Sequence, residues 1–518
     1  MIKYFKFFLV VFILLILEEA IAAQLLTPLQ KSNFTRLTSY NDMMSYLNEL
    51  VKLNDMVKMK IIGSSVEGRK IPALFFSSSK NFGKDNNKVI VLIYAQQHGN
   101  EPAGKEAALI EAANLLGKDK FLLNHLNLIL VPQVNPDGAE SGTRRNANKM
   151  DLNRNHVILS EPESIALHNL FLDWMPQVTL DMHETNVIKK DWVANGMLKD
   201  AEEMFGTVSN LNISKLIRKF AREKMLVSIG TKILAAGFRF HEYIVGSPFN
   251  GKRIRLSTTN INDGRESMGI YNTLSFIVEC TKYNDLLTDI KRRTDGQISA
   301  IESFLSTINE NYASILELVK NERNKIVEGK LPRRVALQMD YFKDPQKSTL
   351  KFPVFNIKKW KHEVVNLKKY EPIVSVKKTV RRPFAYVFSA SQKRLIKLLQ
   401  KHRIKMFRLK KSIKLAVESY FVLHSTPTIE EDKKAEYLDL EKKYSDKFFE
   451  KGDIIIKLNQ KSGVLIPLLL EPESSIGIVS ERSGRKYRFK NFIETGKEYP
   501  IFRILSRDDL SDSLLFNF

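Results

Sequence analysis

The chain has 518 residues, of which 43% are hydrophobic and 27% charged. This excludes a disordered or collagen-like polymer and supplies enough apolar material for more than one ordinary domain. The 81 lysines and arginines exceed the 58 acidic residues, for a formal net charge of +23. Such a field attracts anionic surfaces. The most basic run, residues 393–414, carries only Phe407 as an interleaved aromatic, which argues against nucleic-acid binding.

The first residues, Met-Ile-Lys-Tyr-Phe-Lys, make a positive start, and residues 7–17 are unbroken apolar. Glu18 and Glu19 end that run, and Ala-Ile-Ala-Ala follows at 20–23. The layout predicts a secretory signal peptide over residues 1–23 and a secreted or periplasmic protein, with an uncleaved N-terminal membrane anchor as the alternative. Cys280 is the single cysteine. An exported chain with no intrachain disulfide fits a bacterial source better than a eukaryotic extracellular one.

After a loop, residues around Tyr40–Met44 have helical spacing. Strand-like runs at 57–64 and 71–77 flank a turn at Glu67-Gly68-Arg69. Residues 89–94 form a continuous apolar run, expected of a strand buried on both faces. An amphipathic helix over 103–116, a buried strand over 127–134 and a helix over 161–172 come next. Short strands are expected at 178–181 and 274–279, and helical spacing over 299–328 closes the unit. The alternation predicts an α/β fold, a mixed and mostly parallel sheet flanked by helices, over residues 24–330. The texture then changes. Residues 350–389 are lysine-rich and β-like, 393–414 helical or mixed, and 453–505 read as strands split by turns. Residues 331–518 are expected to form a β-rich accessory domain with no readable motif.

Three expected strands lead into residues suited to metal work. Residues 91–95 precede His98-Gly99-Asn100-Glu101, residues 179–181 precede His183, and residues 275–278 precede Glu279. Sites in open α/β sheets form outside the carboxyl ends of strands, and imidazole with carboxylate is a good zinc donor set. Between these pieces lie Asn135-Pro136-Asp137-Gly138, Thr143-Arg144-Arg145-Asn146 and Asp151-Leu152-Asn153-Arg154-Asn155.

Taken in order, these segments resemble the zinc metallocarboxypeptidase family of the carboxypeptidase A and B type, over roughly residues 40 to 300. The resemblance implies one zinc ion held by His98, Glu101 and His183, with a fourth position open to water. It makes Glu279 the general base and Arg144 the oxyanion stabiliser, with its neighbour Arg145 as the alternative. It assigns Asn153 and Arg154 to the substrate's terminal carboxylate and Asp151 to the orientation of His98. The implied activity is hydrolysis of C-terminal peptide bonds. The alternatives are the same chemistry on bacterial cell-wall peptides, or a peptide-binding pseudoenzyme. The basic C-terminal domain would be the contact for an anionic surface; oligomeric state is not readable.

One departure stands out. Where digestive members carry a loop tyrosine before the catalytic glutamate, the spacing here falls near Ser257, with Tyr243 and Tyr271 as candidates. Asp263, Arg255 and Arg265 are charged candidates for the side-chain pocket. His156 and His241 have no partner at metal spacing, and Cys280 reads as core.

Overall fold

A computed structural model describes residues 25–518 apart from 80, 484–487, 509 and 518. The expected signal peptide lies outside the described residues. Among those described, no helix is long and apolar enough to cross a membrane.

An eight-stranded mixed sheet organises the first part of the chain. Its strands are β1 (Val57–Ser64), β2 (Lys70–Phe76), β3 (Val89–Ala95), β4 (Leu126–Val131), β5 (Val178–Asn186), β6 (Glu203–Thr207), β7 (Phe240–Glu242) and β8 (Leu274–Lys282). Their spatial order is β1-β2-β4-β3-β5-β8-β6-β7. The central run β4-β3-β5-β8 is parallel, β2 and β6 join it antiparallel, and β1 pairs antiparallel with β2. Every residue of β4 is buried, as are all but one of β3. Strands that need no polar face belong in a sheet covered on both sides. Edge strand β1 instead shows only one fully buried residue.

The helix Ala103–Asn114 follows the turn after β3 and packs against Ile290–Glu310. Pro162–Trp174 packs against β1. The helical spacing near the end of this region resolves into two helices, Ile290–Glu310 and Tyr312–Val327, interrupted at Asn311.

β5 and β8 run further than their apolar cores suggest. The expected strands 178–181 and 274–279 extend to Asn186 and Lys282, because the two strands stay paired through that whole stretch. His183 therefore sits within its strand and not beyond it, and Glu279 lies inside its strand and not at its end.

The C-terminal region is β-rich, as its texture predicts, but it shares sheets and core with what precedes it. Leu350–Asn356 pairs with Met197–Lys199, and Tyr370–Glu371 pairs with Ile254–Leu256. Trp192 and Met204 pack in one cluster with Tyr341 and Phe352. A boundary at 330 thus marks the end of a helix and not a break between separate cores. Residues 453–505 also differ from the strand reading: Leu465–Leu470 is a helix whose six residues are all buried. Such a short apolar run cannot be told from a strand by periodicity.

The basic run divides. Lys393–Lys401 is a helix burying Leu395, Ile396, Leu398 and Leu399. Some of its cations dock onto the first region: Lys401 Nζ donates to Leu159 O at 2.7 Å, and Arg403 pairs with Asp173. A long hairpin follows, β9 (Ile413–Glu430) and β10 (Lys433–Phe449), paired along nearly its full length.

Candidate active site

The turn after β3 begins at Gln96, which adopts φ 56°. Its side-chain amide donates to Gly99 O at 2.8 Å and folds the turn back on itself. Gly99 is required by proximity, since a Cβ there would lie 2.0 Å from the carbonyl carbon of Gly138. The Asn-Pro-Asp-Gly turn thus packs directly beneath the His-x-x-Glu turn. Asn135 ties the two together, donating to Gln97 O at 3.1 Å and accepting from Gly138 N at 2.9 Å.

This packing brings three donors to one point. His98 Nδ1 lies 3.0 Å from Glu101 Oε2 and 3.1 Å from His183 Nδ1, and the latter is 2.9 Å from Glu101 Oε2. All three residues are buried, and among the described residues they form one of two groups able to hold a metal. Three donors about 2.1 Å from a tetrahedral ion would stand roughly 3.4 Å apart, so this triangle fits zinc with little adjustment. Burial alone would raise the Glu101 carboxyl, but the two imidazoles outweigh it and hold the group well below the usual range. Such a cradle is already polarised for a cation.

The outer ring nitrogens are held as well. His98 Nε2 is 3.1 Å from Asp151 Oδ1. His183 Nε2 is 2.8 Å from Asp181 Oδ1, and Gln97 Nε2 donates to both oxygens of that carboxylate at 2.9 Å. A carboxylate behind each imidazole fixes the ring and its tautomer with Nδ1 free for an ion. Asp181 escaped the sequence reading. The signal was present, since residues i and i−2 of a strand share a face.

Arg144 and Arg145 separate cleanly. Arg144 donates through Nε to Asp151 Oδ2 at 3.1 Å and through Nη1 to Glu101 Oε1 at 3.3 Å. Arg145 turns away, donates to Lys149 O at 2.8 Å, and lies outside the cavity lining. The arrangement therefore adds no support to the alternative role expected of Arg145, whose side chain is exposed on the turn. Arg154 lines the cavity, and its Nη1 donates to the backbone oxygen of Asn153. Asn153 is more committed than expected. Its oxygen accepts Gly264 N at 2.7 Å, and its amide nitrogen rests 3.0 Å from His183 Nε2.

Glu279 lines the same cavity, of about 460 Å³. Burial raises its carboxyl pKa, as does Glu101, against the opposing pull of His183 and a hydrogen bond with Tyr243. Of the tyrosine candidates, Tyr243 thus reaches the site. Tyr271 is buried against Phe171 and absent from the lining. Arg255, Ser257 and Asp263 line the cavity, while Arg265 lies beneath it beside Asp263 and Glu266. Lys433, from the second strand of the hairpin, also lines it. No sequence pattern pointed to that residue. A larger cleft, about 1100 Å³ along Tyr312–Val327, contains none of the metal donors.

Residues 43–185 match the family model described as zinc carboxypeptidase. Carboxypeptidase 2 of Trichophyton rubrum is 26% identical over 484 residues, 89% of this chain and 86% of the relative, and carboxypeptidase 2 of Trichophyton tonsurans is 25% identical over the same shares. Among solved structures, carboxypeptidase A from Helicoverpa armigera aligns with 54% of this chain and 75% of its own, at 20% identity and a TM-score of 0.41. Over residues 43–185 the chain is similar to the zinc carboxypeptidase family, and over most of its length to the fungal carboxypeptidases. It is a metallocarboxypeptidase, a hydrolase acting on peptide bonds. The bacterial source expected from the lone cysteine is not supported, since these extended relatives are fungal. A chain this long builds enough core to dispense with disulfides, so their absence says little about the organism.

Proposed function

We propose that the protein is an exported exopeptidase that removes the C-terminal residue of peptides, with one zinc ion at His98, Glu101 and His183. The carrying observation is the triangle of His98 Nδ1, Glu101 Oε2 and His183 Nδ1, with sides of 2.9–3.1 Å. Zinc bound there would polarise the scissile carbonyl and acidify a water molecule.

The chain's own groups would do the rest. Glu279 takes a proton from the attacking water and returns it to the leaving amine; a buried carboxyl of raised pKa suits both transfers. Tyr243 holds that carboxylate through its hydroxyl. Arg144, already poised over Glu101, turns its guanidinium to the oxyanion that develops on the carbonyl. Arg154 has the geometry for a bidentate grip on the terminal carboxylate, which restricts cleavage to chain ends. Export rests on the layout of residues 1–23.

The test is hydrolysis of a mixed peptide library by the zinc-loaded protein and by Glu279→Gln. Release of single C-terminal residues, slowed about 10²–10⁴-fold in the variant, is expected. Equal rates in the two proteins, or cleavage confined to internal bonds or to cell-wall peptides, would contradict the proposal.

A further inference from the structure

The cavity receives one cation from a part of the chain remote from every catalytic motif. The hairpin β9–β10 turns through Glu431 and Asp432, both at positive φ, 47° and 64°. Two-residue hairpin turns of this shape favour asparagine and glycine, so two acidic residues here need outside support. They receive it from the cavity wall. Glu431 accepts from Thr259 N at 2.6 Å, from Thr258 Oγ1 at 2.5 Å and from Arg482 at 2.7 Å. Asp432 accepts from Arg253 at 2.8 Å and from Arg255 at 3.0 Å. The tip is thereby pinned against the segment that carries Ser257 and Thr258.

The residue after the turn is Lys433, which lines the cavity together with Arg154, Tyr243 and Glu279. Other charges near the tip are already engaged. Arg255 is held by Asp432, by Glu431 O and by the carbonyls of Leu256 and Ser257. Asp263 accepts Glu266 N at 2.8 Å and faces Arg265. The Lys433 ammonium has no hydrogen-bond or ion-pair partner among the described residues.

We infer that Lys433 forms a subsite for an anionic side chain, so that the enzyme prefers peptides ending in aspartate or glutamate. The inference rests on the carboxypeptidase reading and adds its substrate class. A cation beside Arg154 repels a terminal lysine or arginine, and an apolar side chain leaves the ammonium uncompensated. A carboxylate supplies the missing partner in a charge-assisted bond. The surroundings agree: Arg154, Arg482 and Arg255 all act on the ammonium, with Glu431 as the opposing charge. The specificity element would then be carried by the C-terminal region, threaded back to the metal as a hairpin tip.

The experiment measures kcat/KM of the zinc-loaded full chain on peptides identical except for a terminal Glu, Gln, Phe or Lys. The wild-type protein is expected to favour Glu over Gln by about tenfold or more, the worth of a hydrogen bond to a charged group. Lys433→Met should bring that ratio near one, and Lys433→Glu should shift the preference to Lys. Because Lys433 is exposed, these variants should melt with the wild type, which thermal unfolding checks. Wild-type ratios near one would overturn the inference. So would a Lys433→Met variant slowed equally on all four peptides, which would place the ammonium on the terminal carboxylate instead. Absence of hydrolysis on every peptide would overturn the carboxypeptidase reading itself.

Discussion

Glu279 stands directly opposite His183 in the ladder between two adjacent parallel strands, β8 and β5. The pairing sets a proposed proton carrier beside a proposed metal donor through backbone hydrogen bonds alone, with no flexible loop between them. Sites held on strands are positioned more tightly than sites on loops. Glu279→Gln should therefore keep the shape of the site, and it is expected to bind zinc as the wild type does while losing turnover. Metal content after dialysis, compared with kcat, checks the separation.

The carboxylates behind the imidazoles should govern metal affinity. Asp151 and Asp181 each face the Nε2 of one histidine, at 3.1 and 2.8 Å. Asp151→Asn and Asp181→Asn are each expected to weaken zinc binding by about 10–100-fold, read by competition with a chelator. Unchanged affinity in both would remove them from the metal's support.

The two neighbouring arginines make an internal control. Arg144 touches Glu101 and Asp151, whereas Arg145 bonds a backbone oxygen on the exposed side of its turn. Arg144→Ala is expected to lower kcat by about 10²–10³-fold, the usual cost of losing an oxyanion donor. Arg145→Ala should stay within about threefold of the wild type, as surface changes do. The reverse order in steady-state kinetics would reassign the role.

Much of this site was legible because its residues cluster in short segments. His-x-x-Glu, Asn-Pro-Asp-Gly and Asp-x-Asn-Arg-Asn each act within a few residues, and the structure explains their spacing by contact, as where Gly99 lies against Gly138. The parallel core of the sheet was equally visible in β3 and β4, whose apolar runs leave no polar face. What stayed hidden depends on long-range pairing. Lys433 reaches the cavity only because β9 and β10 pair over most of their length and their tip meets Thr258 and Arg255. The Leu465–Leu470 helix was read as strand because its six residues are buried all round and carry no period. The shared cores of the two halves were missed for the same reason, since Trp192 and Phe352 meet across 160 residues of sequence.

Acid should loosen the contact between these halves. His156, His168 and His402 are all buried; His156 Nδ1 lies 2.9 Å from His168 Nε2, and His402 Nε2 donates to Val157 O at 2.7 Å. Burial is the main cause that lowers all three, His156 and His402 to about 4. Their folded pKa values thus lie below the unfolded value near 6.5, and between the two the unfolded chain binds more protons. Stability from keeping them neutral is complete above about pH 6.5 and is lost as pH falls toward 4, by up to roughly 3 kcal/mol each for His156 and His402. The melting temperature should drop across that window, and His402→Gln should flatten the slope. A melting temperature level from pH 7 to 4.5 would contradict the expectation.

The central proposition is that two imidazoles and a carboxylate hold a single zinc ion. Its most direct test is a zinc titration of the metal-stripped protein by calorimetry, beside His183→Ala. A stoichiometry of one per chain in the wild type, abolished in the variant, is the predicted result. A wild type that binds no zinc, or a variant that binds it as tightly, would contradict it.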